Sequence, residues 1–200
     1  MTPKQVFDYV DEIKPNAFSN ATKTIWLNEV EGMVMTEVFL WPKREVFEYL
    51  WSASVTTPVT FPDEHTVGIA DADVRKMFRA GGKVSLTGTC VYTGNTLTDA
   101  VIQEVTEDGL VFTETFTVTG DTEVSTAVSY DGSGVQLLVA PPHSKIYGQY
   151  LIAMIDYANG EYDKYQNTMQ MFNAFWGEYM RWYARNYRPA DVLALQREIF

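Results

Sequence analysis

The stretch that decides the helical part of the fold runs from Tyr147 to Pro189 and reads YGQYLIAMIDYANGEYDKYQNTMQMFNAFWGEYMRWYARNYRP. It contains two consecutive patterns of helical spacing, which the Asn159-Gly160 pair separates. The sequence therefore predicts one helix from a cap at Ser144 to Asn159 and a longer one that ends near Tyr187, before Pro189.

Aromatic and methionine side chains recur every three or four residues in the longer helix, so they share one helical face. The members of this face are Tyr165, Met169, Phe172, Trp176, Tyr179, Tyr183 and Tyr187. Met171, Phe175 and Trp182 form a second stripe beside it. One apolar stripe is enough for a helix to pack on its own domain, so the second stripe predicts a contact with another subunit.

Composition limits the classes of partner. The chain has 200 residues and a formal net charge of −11, and this charge disfavours unaided binding to nucleic acid or to an anionic membrane. Cys90 is the only cysteine, so an intrachain disulfide is excluded. The first residues, MTPKQVFDYVDEIK, lack the apolar core of a signal peptide, and we expect no membrane-spanning segment.

Helical patterns also occupy the first fifty residues. Thr2 and Gln5 match a capping box with proline between them, and Val6, Val10 and Ile13 give the first helix an apolar face. Ser19 or Asn20 can cap a second helix, which we expect to bury Ile25, Trp26, Val30 and Val34 and to end near Leu40. A third short helical segment is predicted from Arg44 to Trp51.

The pattern changes from about Ala53 to Val128 to β-branched runs, which dipeptides containing glycine separate: Gly81-Gly82, Gly94-Asn95, Asp108-Gly109 and Gly120-Asp121. These runs predict a small antiparallel β barrel or sandwich, interrupted by one short helix from Asp71 to Phe78. Residues 53–127 carry eleven Asp and Glu against four Lys and Arg, a net charge of −7. The predicted fold is thus α+β, with residues 53–128 inserted as a β module into a discontinuous helical bundle formed by residues 1–52 and 129–200.

No specific catalytic constellation is present, and we predict no catalytic residue, cofactor or metal site. The best acidic cluster is Asp156, Glu161 and Asp163, with His143 upstream, a set that can bind a divalent metal or act in acid–base chemistry. Glu161 and Asp163 are explained more simply, because acidic residues in the first turn of a helix favour its dipole. Asp156 lies among apolar neighbours, so we expect a partner for it, such as an arginine of the last helix.

Arg181, Arg185 and Arg188 fall on one side of the long helix. Two interpretations stay open: a contact with an acidic partner or a DNA backbone, or solvated charge that complements the helix C-terminus. The candidate subunit interface therefore consists of aromatic, arginine and C-terminal apolar residues. Its members are Phe172, Phe175, Trp176, Tyr179, Trp182, Tyr183, Arg181, Arg185, Arg188, Val192, Leu195, Ile199 and Phe200.

Two segments, KPNAFSNATKTIWLNEVEG from Lys14 and PPHSKIYGQYLIAMIDYANGEYDKYQNTMQMFNAFWGEYMRWYARNYRP from Pro141, resemble head–tail connector proteins of tailed bacteriophages, also called adaptor or head-completion proteins. The resemblance covers roughly residues 5–50 and 135–190, and the β module departs from the simplest, all-helical members.

The resemblance implies a structural virion protein without enzymatic activity. Members form a ring, expected to be a dodecamer, beneath the portal protein, and they extend the DNA channel to a stopper or tail-completion protein. DNA would only pass through the lumen, and no membrane would be involved. The segment Val192–Phe200 would then dock on the portal, at the head–tail junction of a virion made in the host bacterial cytoplasm.

Other functions remain as alternatives. The β module can instead bind carbohydrate or a capsid surface, which would make the protein an accessory factor. Tail completion is a neighbouring structural role. An enzyme using Asp156, Glu161 and Asp163 is the least favoured hypothesis, since it requires those side chains to converge in a pocket.

Overall fold

The computed structural model of the chain describes residues 1–39, 48–88, 97–116 and 124–187. Its elements are α1 (Pro3–Ile13), α2 (Asn20–Met33), a π-helical turn (Val34–Val38), β1 (Ser52–Val59), β2 (Thr66–Gly68), α3 (Ala72–Arg75), β3 (Lys83–Gly88), β4 (Ala100–Val105), β5 (Gly109–Phe112), β6 (Val124–Asp131), α4 (Lys145–Ala158) and α5 (Tyr162–Tyr187). The predicted α+β class is confirmed.

The first two helices begin at the predicted caps. The Thr2 hydroxyl accepts from the Gln5 N–H at 3.3 Å, and the Gln5 side chain accepts from the Thr2 N–H at 2.9 Å, which completes a capping box. Ser19 caps α2 by accepting from the Thr22 N–H at 3.1 Å. The backbone groups at both helix starts are therefore satisfied by local side chains.

Two predicted core residues of these helices are exposed instead. Ile13 is the last residue of α1, beyond the buried Val6 and Val10. Ile25 lies two positions before Leu27, which turns it about 200° away from the buried side of α2. Spacing alone placed Ile25 on the wrong side of its helix, whereas Ile13 lies on the predicted face but beyond the part of it that is covered.

The predicted second helix continues past α2 as the π-helical turn, and its expected end at Leu40 lies outside the described residues. The first half of the predicted helical segment Arg44–Trp51 lies outside them as well, and its described half, residues 48–51, is not helical.

The last two helices match the prediction closely. α4 begins after Ser144, whose side chain makes no capping hydrogen bond, and ends at Ala158. α5 is helical as far as Tyr187, where the described residues end. Between them Gly160 has a φ of +74°, a left-handed conformation that glycine adopts without steric cost. This residue turns the chain so that α5 packs back along α4.

The strands form one open antiparallel sheet in the order β1-β6-β3-β4-β5-β2, so the predicted barrel or sandwich is wrong. The edge strands β1 and β2 meet only where Thr60 and Gly68 exchange backbone hydrogen bonds of 3.0 and 2.8 Å. β2 has only three residues, too few to close the sheet along its length. The predicted short helix exists as α3, capped by Asp71 and shorter than expected.

Residues 132–140 connect the sheet to α4 and lie against the N-terminal helices. The Ser133 carbonyl accepts from the Lys4 N–H at 3.2 Å, and the Gln136 carbonyl accepts from the Tyr49 hydroxyl at 2.9 Å. Phe7 of α1 stacks on Trp51, just before β1, with ring centroids 5.2 Å apart. Buried residues of helices and strands thus form one continuous core, and the division into a helical domain and an inserted module stays a prediction.

Candidate subunit interface on the last helix

The inner face of α5 packs on the chain's own helices. Phe172, Trp176 and Tyr179 are 3%, 8% and 3% exposed. Trp176 donates from its indole Nε1 to Glu37 at 3.2 Å, and the Phe172 ring lies 5.1 Å from that of Tyr150 on α4. These three members of the candidate interface therefore line the core, and a neighbouring subunit has no access to them in this conformation.

The second stripe lies on the outer side of the same helix. Met171 is 51% exposed, and Phe175 and Trp182 are half-buried. We call these three residues the outer stripe. Of its members, Phe175 lines a cleft of about 230 Å³ together with Pro142, His143, Lys145 and Glu178. The helix thus presents an apolar surface at a concave site beside the start of α4.

His143 occupies this region as an aromatic neighbour. Its ring centroid lies 4.8 Å from that of Trp182 and 5.5 Å from that of Tyr179. This packing fixes the half-buried Trp182 against the turn before α4. His143 is therefore placed by ring contacts and not beside the carboxylates of the acidic cluster.

The C-terminal end of α5 carries stacked rings and exposed arginines. Tyr183 stacks on Tyr187 with centroids 4.9 Å apart, and Tyr187 is 61% exposed. Arg181 and Arg185 are both exposed, and the Arg185 Nε donates to the Arg181 carbonyl at 3.2 Å. Within the described residues neither arginine makes an ion pair. Five further members of the predicted interface lie outside the described residues: Arg188, Val192, Leu195, Ile199 and Phe200.

The acidic cluster is a structural network. The buried Asp156 accepts from the Lys14 ammonium and, at 2.9 Å, from the Thr168 hydroxyl. Lys14 also donates to Glu161 at 2.6 Å. The expected arginine partner of Asp156 is thus wrong, because the end of α1 brings a lysine to this site.

The charges in this network are mutually stabilised. Hydrogen bonds from Lys14 and Lys164 lower the pKa of Glu161 to about 2. Asp163 is exposed, and the described residues contain no group of three or more potential ligands that could hold a metal ion. This arrangement joins three helices, and Lys14, Asp156 and Thr168 line a shallow cleft of about 410 Å³.

Sequence reasoning missed a second buried network, centred on Glu31 of α2. Its carboxylate has no exposed surface and accepts from the Tyr147 hydroxyl and, at 3.3 Å, from the Leu138 N–H. Burial raises the pKa of Glu31 to about 7, although the hydrogen bonds from Tyr147 and Leu138 oppose the rise. The position four residues after the apolar Leu27 was the available signal that this carboxyl group faces the core.

No protein-family model, no curated protein and no solved structure matches this chain. Across the described residues, no helix is both long and apolar enough to cross a membrane.

Proposed function

We propose that this protein is a structural subunit of a ring at the head–tail junction of a tailed bacteriophage. In this proposal it sits beneath the portal protein and extends the DNA channel toward a stopper or tail-completion protein. Its helical parts form the connector proper, and the sheet is an insertion between them. Chemistry on a substrate has no part in the role.

The observation that carries the proposal is the division of α5 into two apolar faces. The inner face, with Phe172, Trp176 and Tyr179, is already buried in the subunit. In the outer stripe Met171 is exposed, and Phe175 and Trp182 are half-buried and pack partly on the core. Methionine and aromatic side chains at a surface are favoured in contacts between proteins. A helix with one face in its own core and another apolar face at the surface suits a subunit that packs beside a neighbour.

Charge supports the same role. A net charge of −11 repels phosphate, so DNA can pass through a channel of such subunits without adhering to the wall. The helical segments that resemble head–tail connectors include α2, α4 and α5, so the resemblance and the two-faced helix concern the same part of the chain.

The proposal is tested by mixing the purified protein with the portal protein of the same phage genome and recording mass photometry and electron micrographs. We expect ring-shaped particles that dock on the portal. Met171→Glu should raise the protein concentration needed for assembly by about tenfold or more, because it places a charge in the outer stripe. Gln170→Glu, at the exposed neighbouring position, is the matched control and should assemble normally.

Thermal unfolding followed by circular dichroism serves as the folding check for both variants. Because Met171 is about half exposed, we expect both variants to unfold at the wild-type temperature. A wild-type protein that stays monomeric with portal present would rule out the ring.

A further inference from the structure

The last two turns of α5 form a basic surface with aromatic side chains. It consists of Arg181, Trp182, Arg185 and Tyr187, and we call it the α5 end surface. Both arginines and Tyr187 are exposed, and Trp182 is half-buried. Arginine and aromatic residues together are enriched at protein–protein contacts, where they supply most of the binding energy.

The helix dipole does not account for both charges. A cation favours the C-terminal dipole only within the last turn, which includes Arg185 but not Arg181, six residues before Tyr187. The hydrogen bond between them uses the Arg185 Nε. No described residue pairs with the terminal guanidinium nitrogens of either side chain, and such nitrogens can bind a carboxylate in a bidentate manner.

A second copy of this chain supplies the complementary charge. Residues 53–127 carry a net charge of −7, whereas residues 171–187 hold two arginines against the single acidic residue Glu178. Exposed carboxylates of the acidic segment include Glu107 and Asp108, in the turn between β4 and β5. The two regions differ in sign and lie on different elements, so their contact joins unlike surfaces of neighbouring copies. Contacts of this kind generate rings when the rotation closes.

We propose that the α5 end surface binds carboxylates of residues 53–127 in a second copy of the chain. This inference rests on the proposed ring and assigns one of its subunit contacts. The contact is electrostatic, so it weakens with salt, whereas burial of the apolar outer stripe does not.

The test compares two double variants with the same change of net charge. Arg181→Ala/Arg185→Ala and Gln166→Glu/Gln170→Glu each make the chain more negative by two charges, and all four positions are exposed on α5. Assembly on the portal is measured by sedimentation velocity at about 0.05 M and about 0.5 M NaCl. We expect the arginine variant to need about tenfold more protein to assemble at low salt, and the glutamate variant to behave like wild type.

Zero-length carbodiimide cross-linking locates the acceptor. In Arg181→Lys/Arg185→Lys, the introduced amines should couple to carboxylates of residues 53–127, and mixing ¹⁴N- and ¹⁵N-labelled protein identifies the links between copies. Links to the portal, or to other parts of the chain only, would overturn the inference.

Different experimental results would overturn the ring and the contact made by the α5 end surface. If the arginine variant assembles like wild type, the α5 end surface is not a subunit contact and the ring still stands. Equal losses in both double variants would show a general charge effect and would also overturn the inference. If wild-type protein forms no assembly even with portal, both proposals fail.

Discussion

Glu31 shows how one buried carboxyl group links several parts of the chain. It belongs to α2, accepts from the Tyr147 hydroxyl of α4, and accepts from the Leu138 N–H in the segment that leaves the sheet. Tyr147 in turn accepts from the Val139 N–H at 2.9 Å. Burial raises the pKa of the Tyr147 hydroxyl well above its usual value, and the neighbouring Glu31 charge adds to this rise. Because ionised Glu31 is desolvated, its protonation state affects folding.

The free energy of unfolding should depend on pH through Glu31. Its pKa is about 7 when folded and 4.5 in the reference state, so the folded protein binds the extra proton between these values. Protonation of Glu31 therefore adds to the free energy of unfolding at low pH, and this contribution is lost as pH rises through about 7. At about 1.4 kcal/mol per pKa unit, the loss is roughly 3 kcal/mol.

The variant Glu31→Gln should lack this dependence. Relative to wild type it gains stability as pH rises from about 5 to about 8, which urea unfolding at several pH values measures. Glu29→Gln changes an exposed carboxylate on the same helix and is the control. Parallel pH profiles for wild type and Glu31→Gln would contradict the expected desolvation.

The partners of individual side chains were the features that the sequence predicted least well. Spacing identified Val6, Val10, Val30 and Val34 as core residues, because local periodicity decides which helical face is apolar. The contacts of Glu31 with Leu138 and Tyr147, and of Asp156 with Lys14, could not be found in the same way, since these partners lie 107 or more positions away in sequence. Such contacts depend on the packing of helices and not on the pattern within one of them.

Among the secondary-structure elements, helix ends were predicted well, because the residues that signal them lie at those ends. Caps at Thr2 and Ser19 and the break at Gly160 set helix ends within a few residues, because each satisfies backbone groups nearby. Strand order and sheet closure depend on pairings between distant segments, and β-branched runs carry little information about them. The open sheet was missed for this reason.

Two glycines with open space around them should respond in opposite ways to alanine. No atom lies within 4 Å of a Cβ built at Gly160 or Gly32, but only Gly160 has a positive φ, +74°. Gly160→Ala should reduce the free energy of unfolding by about 1 kcal/mol through backbone strain. Gly32→Ala, at the last residue but one of α2, where the helix continues into the π-helical turn, should raise it by up to about 1 kcal/mol through helix propensity.

Chemical denaturation of the two single variants tests this pair. Equal effects at the two sites would mean that the turn between α4 and α5 adapts its backbone to the new side chain.

At the scale of the whole molecule, ion pairs of Lys14 with Asp156 and Glu161 link the end of α1 to the junction of α4 and α5. Lys14 reaches both carboxylates across more than 140 residues of sequence. The network therefore fixes how the N-terminal helix sits on the helix pair that carries the candidate interface.

Removing the buried member of this network should loosen the helical part. Asp156→Ala leaves Lys14 without its buried partner and should lower the free energy of unfolding by about 2–4 kcal/mol. Glu161→Gln changes the more exposed carboxylate and should have a much smaller effect. Both values come from denaturant unfolding, and a larger loss for Glu161→Gln would reverse the assigned roles.

Pro58 bears on how copies of this chain can associate. It lies exposed in β1, which has a neighbouring strand along one side only among the described residues, and proline has no N–H to offer. Thr60, just beyond β1, already uses its backbone groups on Gly68. An incoming strand would find an interrupted row of donors at this border, so β1 resists extension by a further strand.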